Sequence, residues 1–392
     1  MKIGIDLRPL QKETQFRGIG VYLSHLLTSI SKLNNKHSYV FFVERSLPVP
    51  KIVNLFSSNE VIRLRPNRLA RIRFVRAFVN KNRVIETTKD VVDVLFEADG
   101  ELGAPKGVPS VLVFHDIIPM LFRDDKIINQ TTGIRKIKRQ IASVLYGKKY
   151  EWFLRQYIRA SHILAISNNS LADLRKYVPE SRNVPATVIY HGGLHFEKEG
   201  ERRPLSVKKD TSFILYVGGI DIRKNIVGLL RDFLEAKKLH PDLKLIVVGK
   251  EFELSSQLDD LGWYKLLDGH ENSVIKTGFV GNEELTWLYK HAKAFVFPSM
   301  YEGFGIPILE AMGAECPVIA YNNSSIPEVA GDAALLVEDG KSMTPAILKL
   351  LDTPSLRSKL VEHGLKQVTK FQWPVTAEKT LALIEKVANE NR

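Results

Sequence analysis

The sequence has little cysteine and no long apolar run. Its single cysteine, Cys316, excludes an intramolecular disulfide framework, which is typical of proteins in a reducing compartment. No apolar run approaches the roughly 18 residues that a membrane-spanning helix needs, and the opening MKIGIDLRPL lacks the apolar core of a signal peptide. We therefore expect a cytoplasmic protein that does not span a membrane.

The sequence has fewer acidic than basic residues. The chain has 56 Lys and Arg against 44 Asp and Glu, a net charge of +12. Such an excess favours an anionic partner, which nucleic acid, anionic lipid or a phosphorylated small molecule would each provide. At 392 residues the chain is also too long for one ordinary core, and roughly two domains are expected.

Short β-rich runs alternate with amphipathic helical runs in the first half of the chain. This alternation indicates βαβ units and a parallel sheet. The predicted strands are Lys2–Leu7, Tyr39–Glu44 and Ser110–Asp116, and the predicted helix is Val21–Leu33.

The same pattern restarts after the charged stretch at 197–210. Its predicted strands each end near Gly or Pro: Phe213–Gly219, Leu243–Gly249, Val274–Val280 and Ala294–Ser299. We predict two doubly wound α/β domains, at 1–196 and 197–373, with a helix in 374–392 crossing back onto the first. Ligands of such domains bind at the carboxyl ends of the strands, so a cleft between the two is the expected site.

Two glutamates flank a glycine-aromatic-glycine turn in YEGFGIPILEAMGAECPVI, at 301–319. Pro307 is suited to the start of a helix, whose first N–H groups would bind a phosphate. Glu310 is predicted in the first helical turn and Glu302 in the preceding loop, both directed at one ligand. Carboxylates accept paired hydrogen bonds from the vicinal hydroxyls of sugars. The alternative is that Glu310 only interacts with the helix dipole and that Glu302 is a solvated loop acid.

Three further features stand at predicted strand ends. Arg223 and Lys224 begin a helix, where the dipole disfavours cations, so an anionic ligand is favoured over a solvated pair. His115 ends a buried strand, where ligands bind, although a single His is more often structural. The loop FRGIGVY, with Gly18 and Gly20, is either an ordinary turn or a weak phosphate loop that lacks its third glycine.

The run EGFGIPILEAMGAECPVIA resembles the signature of the retaining nucleotide-sugar glycosyltransferases of family four. YVGGIDIRKN at 216–225 and VIKTGFVGNEELTWLY at 274–289 match other segments of that family, in the family's order. The resemblance implies the α/β GT-B fold, with two facing Rossmann-like domains, an interdomain cleft and a C-terminal helix that returns to the first domain. It implies that the first domain binds the acceptor and the second binds the donor.

The resemblance also implies roles for individual residues. Arg223 and Lys224 would clamp the donor diphosphate, Glu302 would hold the donor sugar, and His115 would lie beside the transferred sugar; these four are the predicted catalytic residues. The predicted donor-binding residues are Gly18, Gly20, Gly219, Phe279, Val280, Gly303, Phe304, Gly305, Ile306 and Glu310. Neither a metal nor a cofactor is expected, because the basic pair supplies the neutralising charge.

The function implied by the family is transfer of a hexose from a nucleoside-diphosphate sugar to an acceptor hydroxyl, with retention at the anomeric carbon. A glycan or lipid-linked saccharide of surface polysaccharide or glycolipid synthesis is the expected acceptor. Two alternatives stay open: a sugar-nucleotide-dependent synthase or phosphorylase with a small soluble acceptor, and a non-catalytic partner subunit of the same fold.

The positive charge is concentrated in two stretches of the first domain, 63–83 and 134–160, and the first contains no acid. Arg and Lys interleaved with apolar residues suit the surface of an anionic bilayer. A peripheral position at the inner face of the plasma membrane is therefore one expectation. A solvated helix face is the alternative, and no recognised nucleic-acid motif accompanies the charge.

Overall fold

The computed structural model describes residues 1–11, 18–33, 36–64, 91–100, 103–122, 150–193, 200–253, 258–259 and 261–390. These residues divide into two compact units. Unit 1 holds the described residues up to 192 and those from 372 onward, and unit 2 holds those from 193 to 371. The predicted domain boundary at 196 lies outside the described residues.

Unit 1 is built on a parallel sheet. Its strands are β1 (Lys2–Asp6), β2 (Ser38–Glu44), β3 (Asn59–Leu64), β4 (Val94–Glu97), β5 (Ser110–Phe114), β6 (His162–Ala165) and β7 (Ala186–Val188). In the described part of the chain their order is β3-β2-β1-β4-β5-β6-β7, and every neighbouring pair is parallel. A parallel sheet is covered on both faces, which is why β5 is a continuous, fully buried apolar run.

Helices and 3-10 turns connect these strands. The described helices of unit 1 before residue 193 are α1 (Gly18–Ile30), α2 (Ile118–Leu121) and α3 (Asn168–Tyr177). The 3-10 segments are Arg8–Leu10, Lys51–Leu55, Tyr157–Arg159 and Pro179–Asn183. The Ser167 hydroxyl caps α3 by accepting the Ser170 N–H at 3.0 Å.

Unit 2 contains a second parallel sheet. Its strands are β8 (Phe213–Val217), β9 (Lys244–Val248), β10 (Val274–Gly278), β11 (Ala294–Phe297), β12 (Val318–Tyr321) and β13 (Ala334–Val337). Within the described residues the order is β10-β9-β8-β11-β12-β13. The helices are α4 (Ile226–Leu239), α5 (Trp263–Leu267), α6 (Asn282–His291), α7 (Ile306–Gly313), α8 (Ile326–Ala330), α9 (Thr344–Asp352) and α10 (Pro354–Val368). The 3-10 segments are Ile222–Lys224, Lys250–Glu253 and Glu271–Ser273.

The last helix, α11 (Trp373–Glu390), belongs to unit 1 although it follows unit 2 in the chain. Its residues 377, 381, 384 and 388 are buried at helical spacing, and it packs on α1 and on β4 and β5. The Thr376 hydroxyl donates to the Tyr190 carbonyl at 2.8 Å, which fixes the start of the helix.

The predicted α/β class, with two doubly wound sheets and a C-terminal helix joined to the first, is confirmed by this topology. The first helix was placed too late, because it starts at Gly18 and takes in both glycines of the predicted phosphate loop. Among the described residues we find no helix with both the length and the apolar character needed to cross a bilayer.

Candidate active site

The sheet of unit 2 reverses its strand order between β8 and β11. From β8 the chain proceeds to β9 and β10 on one side, and from β11 it proceeds to β12 and β13 on the other. The loops that leave two such neighbouring strands diverge, which opens a crevice at their carboxyl ends where ligands of doubly wound sheets bind. The predicted basic pair follows β8 and the predicted Glu302 follows β11.

The basic loop after β8 is held in a defined conformation. The Ile220 N–H donates to Glu251 Oε2 at 3.0 Å, and a Cβ on Gly219 would lie 2.4 Å from that oxygen, so a larger residue there would displace the Glu251 carboxylate. After the 3-10 turn that carries the basic pair, Asn225 adopts a left-handed conformation (φ 48°) and starts α4. Asparagine tolerates this conformation better than most residues.

Arg223 and Lys224 converge on a single carboxylate oxygen. Glu302 Oε1 accepts from Arg223 Nη1 at 2.9 Å and from Lys224 Nζ at 2.6 Å. The three side chains are only 11–16% exposed. Lys224 Nζ also lies 5.1 Å from the centre of the Phe297 ring, a cation–π distance.

The charges of this cluster do not cancel. Burial raises the pKa of Glu302, but Lys224 and Arg223 outweigh that effect and lower it, so the carboxylate is ionised at neutral pH. Two cations then share one anion. Asp221 lies 3.9 Å from Arg223 but is 67% exposed, so water screens it. The site therefore has an excess of buried positive charge, which is suited to an anionic ligand.

The loop of Glu302 leads into α7. Gly305 has φ 109°, a conformation that favours glycine, and Pro307 lies in the first turn of the helix. The helix starts at Ile306, so Glu310 is its fifth residue and does not lie in the first turn as predicted. The error arose because Pro307 was taken as the first helical residue.

Glu310 is buried beside an aromatic hydroxyl. The Tyr289 hydroxyl donates to Glu310 Oε2 at 3.1 Å. Burial raises the pKa of Glu310 to about 7, and the hydrogen bond from Tyr289 opposes this only in part. The acceptor role predicted for Glu310 requires its ionised form, but without ligand this carboxyl is protonated in a substantial fraction of molecules at neutral pH.

The remaining predicted donor residues of unit 2 line strand ends and the Glu302 loop. Strand β10 ends at Gly278, after which Phe279 is 80% exposed while Val280 is buried. Phe304, between Gly303 and Gly305, is buried and packs against the Phe371 ring with centroids 5.8 Å apart. Ile306 is the first residue of α7.

His115 lies in unit 1, one residue beyond β5. Its Nε2 is 2.7 Å from the Ala98 carbonyl, which only accepts, so Nε2 carries the proton and Nδ1 is the acceptor. Tyr22 contacts the ring edge-on at 5.3 Å and stacks on His191 at 4.6 Å. Burial lowers the pKa of His115 to about 4, so this imidazole is neutral at physiological pH.

The predicted phosphate-loop glycines of unit 1 form the start of α1. Gly18 is exposed and Gly20 is buried within the helix, so neither lies in a loop as predicted. The two glycines were predicted in a loop because the helix was expected to begin at Val21, whereas it begins three residues earlier, at Gly18.

Acidic side chains meet at the corresponding reversal in unit 1, between β1 and β4. Ligand atoms of Asp6, Glu97 and Asp99 all lie within 4.8 Å of one another, which is close enough for a metal ion. However, Arg8 already binds Asp6 through bonds of 2.7–3.0 Å. Burial raises the pKa of Glu97 well above its usual range, and Asp6 and Asp99 raise it further, so Glu97 is protonated in the absence of a bound cation.

The structure thus brings Arg223, Lys224 and Glu302 together. Gly219 lies in the same loop as the basic pair, and Gly303, Phe304, Gly305 and Ile306 directly follow Glu302. Glu310, Phe279 and Val280 lie in other elements of unit 2, and His115, Gly18 and Gly20 lie in unit 1. Sequence reasoning missed the supporting residues Tyr289, Glu251, Ser324 and Ser325. For Glu251 a signal existed, because it closely follows an apolar strand; the others carry no recognisable pattern.

Comparison with known proteins gives consistent matches. Residues 197–367 match the family described as glycosyl transferases group 1. O-antigen chain mannosyltransferase B of Escherichia coli is 37% identical over 177 residues, or 43% of this chain and 44% of that protein. A serotype-specific mannosyltransferase, WbdA of Escherichia coli, is 29% identical over 283 residues, or 68% of this chain and 32% of that protein. The matches thus span less than half the length of these relatives.

Solved structures resemble the chain over nearly its whole length. A sucrose-phosphate synthase from Thermosynechococcus elongatus has a TM-score of 0.73 at 18% identity, covering 99% of both chains. WaaG, a glycosyltransferase involved in lipopolysaccharide biosynthesis, has a TM-score of 0.66 at 18% identity, covering 97% of this chain and 99% of its own. At these identities the likeness concerns the fold, and it confirms the predicted GT-B class.

Proposed function

We propose that the chain, whose residues 197–367 match the glycosyl transferases group 1 family, transfers a hexose from a nucleoside-diphosphate sugar to an acceptor hydroxyl. The observation that carries the proposal is the convergence of Arg223 and Lys224 on Glu302 at the strand-order reversal of unit 2. A donor diphosphate placed there meets two preorganised cations, which stabilise the negative charge that develops on the leaving group.

The proposed reaction retains the configuration at the anomeric carbon. The acceptor oxygen attacks from the face that the nucleotide leaves, the bond from the anomeric carbon to phosphate oxygen breaks, and that oxygen takes the acceptor's proton. When the donor binds, Glu302 releases one of its two cations to the diphosphate and accepts a hydrogen bond from a hydroxyl of the donor sugar. Ionised Glu310 accepts hydrogen bonds from the ribose hydroxyls. His115 is neutral and presents Nδ1 as an acceptor beside the transferred sugar. No metal takes part in this scheme.

We propose mannose as the first hexose to test, since several relatives are named as mannosyltransferases. Their roles in O-antigen synthesis also support a glycan or lipid-linked saccharide as the acceptor. Two relatives of similar identity, a D-inositol 3-phosphate glycosyltransferase and a sucrose-phosphate synthase, favour the alternative of a small soluble acceptor.

Peripheral attachment to an anionic membrane is a further part of the proposal. It depends on the basic stretches 63–83 and 134–160, of which 65–83 and 134–149 lie outside the described residues. Flotation with vesicles that contain anionic lipid, compared with neutral vesicles, tests it. Charge reversal at Arg71 and Arg76 should abolish binding, and equal flotation of wild type and variant would remove this part.

The proposed donor is tested by thermal shift against a panel of nucleotide sugars that includes GDP-mannose and UDP-glucose. A ligand at 100 times its Kd stabilises the native state by about 2.7 kcal/mol, which raises the melting temperature measurably. Calorimetry on any positive then gives the affinity. Absence of binding to every nucleotide and nucleotide sugar at millimolar concentration would contradict the proposal.

A further inference from the structure

The backbone of Glu302 is held by two serine hydroxyls from the loop that follows β12. Ser324 Oγ accepts the Glu302 N–H at 3.0 Å. The Ser325 hydroxyl is fully buried and lies 2.9 Å from the carbonyl oxygens of both Glu302 and Phe304, which share its proton. Both backbone polar groups of Glu302 therefore end on side chains of a neighbouring loop rather than on regular secondary structure.

One of these serines is in a strained conformation. Ser324 has φ 48°, in the left-handed region that glycine adopts freely and that serine avoids. Strain of this kind persists where the surroundings over-determine it, and it concentrates at functional sites. The bond to the Glu302 N–H is a specific interaction that glycine at this position would not provide.

The same loop region also supports the basic pair. Asn225, the residue after Lys224, is likewise left-handed and donates from Nδ2 to the Tyr321 hydroxyl at 3.3 Å. Tyr321 is the last residue of β12. Among the described residues three non-glycine residues have positive φ, and two of them, Asn225 and Ser324, border the cluster of Arg223, Lys224 and Glu302.

We propose that Ser324 and Ser325 are positioning residues of the donor site, which fix the Glu302 peptide so that its carboxylate stays on Arg223 and Lys224. The inference rests on the proposed function, because it takes this cluster as the donor site. Neither serine is required to touch the substrate. Their contribution is geometric, since misplacement of a reacting group by about 1 Å costs up to about 100-fold in rate.

Replacement of Ser324 by glycine separates positioning from stability. Ser324→Gly removes the strain together with the hydroxyl, so we expect an unchanged or raised melting temperature and a fall in kcat of about 10- to 100-fold. If the residue only supported the fold, its substitution would lower both the melting temperature and kcat, or neither of them. Ser325→Ala removes the buried donor without relieving strain and should lower both quantities.

Glu315 offers a matched control. It is the third non-glycine residue with positive φ, but it is exposed in the turn between α7 and β12. Glu315→Gly should raise the melting temperature and leave kcat unchanged. In a double-mutant cycle, the kcat penalty of Ser324→Gly should disappear in the Glu302→Gln background, since the serine acts through Glu302.

The outcomes distinguish this inference from the proposed function. If the wild type binds and turns over a nucleotide sugar while Ser324→Gly keeps full kcat, the role of the serines is overturned and the function stands. If the wild type binds none, the function fails. The crystal structure of Ser324→Gly decides the geometry in either case: a displaced Glu302 supports the inference, and an unchanged 2.6 Å contact with Lys224 overturns it.

Discussion

The two sheets reverse their strand order once each, and the two reversals bring together different sets of charged residues. In unit 2, between β8 and β11, Arg223 and Lys224 share the carboxylate of Glu302. In unit 1, between β1 and β4, Arg8 neutralises Asp6 while Glu97 lies beside it with no exposed surface. One reversal has an excess of cations, whereas the other pairs its cation with one carboxylate and holds a second carboxyl group that is protonated.

The difference shows that topology determines where side chains converge, whereas sequence determines which ligand they suit. The reversal of unit 2 can neutralise a diphosphate. In the reversal of unit 1 the cation, Arg8, is already bound to Asp6. Asp6 and Glu97 are also fully buried, so this cluster is an internal part of the unit. The following predictions run from the largest expected effect to the smallest.

Loss of one cation should have the largest effect. Arg223→Ala leaves the diphosphate with Lys224 alone, and turnover should fall by roughly 100- to 10,000-fold, as for deletion of a preorganised electrostatic group. Initial rates with a saturating donor measure this change. The matched control is Arg202→Ala, since Arg202 forms ion pairs on the same unit with Glu283 and Glu284 but is 66% exposed. Equal rates for wild type and Arg223→Ala would remove the assignment.

Donor affinity should depend on pH through Glu310. The pKa of this carboxyl is about 7 without ligand, and only its ionised form accepts the ribose hydroxyls. Affinity should therefore level off above pH 7 and weaken by up to about tenfold per pH unit below it. Calorimetry with a nucleotide sugar suits the measurement, because Glu302 and His115 titrate well below this range.

Two variants sharpen the pH dependence. Glu310→Gln should flatten the profile. Tyr289→Phe removes the hydrogen bond that holds the pKa of Glu310 down, so the loss of affinity should begin at a higher pH. If the pH dependence of donor affinity in both variants matched that of the wild type, a group other than Glu310 would be responsible for it.

A smaller effect is expected at the reversal of unit 1. Glu97 has a raised pKa in the folded chain, so it keeps its proton there while the unfolded chain loses it above about pH 4.5. Its contribution to stability is therefore complete below that pH and declines as the pH rises. Glu97→Gln removes this dependence, and its melting temperature should exceed that of the wild type by more at pH 8 than at pH 5. A shift of roughly 2–4 °C per kcal/mol is expected.

No effect is expected from chelation. Excess EDTA should change neither turnover nor melting temperature, because the cations of unit 2 supply the neutralising charge and Arg8 already pairs with Asp6. A loss that added Mg²⁺ or Mn²⁺ restores would show that Asp6, Glu97 and Asp99 hold a metal, and would reverse our interpretation of that cluster.

The fold was predictable where a buried strand forms a clear apolar run that ends near glycine or proline. FILYV and KLIVV, which became β8 and β9, are continuous apolar runs that predict parallel strands directly. Six strands were not predicted: β3, β4, β6, β7, β12 and β13. Strand β3 is a half-exposed edge strand with charged residues, and β7 and β13 contain only half-buried residues. Strands β4, β6 and β12 are fully buried, but runs of four residues are too short for periodicity to distinguish a strand from a helical segment. Their strand conformation depends on pairing with neighbours rather than on local pattern.

The charged residues of the candidate site were predictable from the sequence, whereas the residues that hold them in place were not. The motifs identified Arg223, Lys224 and Glu302, and the structure places them in contact. The bonds from Ser324 and Ser325 to the Glu302 peptide join loops that are distant in sequence, and serine in a loop is too common to be a signal. The approach of Glu97 to Asp6 follows from the pairing of β1 with β4, which no local pattern reports.

The position of α11 has a consequence for biosynthesis. This helix covers α1, β4 and β5 of unit 1, yet it is translated only after all of unit 2. While the chain emerges from the ribosome, unit 2 can acquire its native packing first, and the apolar faces of α1 and β5 stay without their cover until residues 373–390 arrive. Chains interrupted within the last helix should therefore be substrates for chaperones and proteases even though every residue of unit 2 is present.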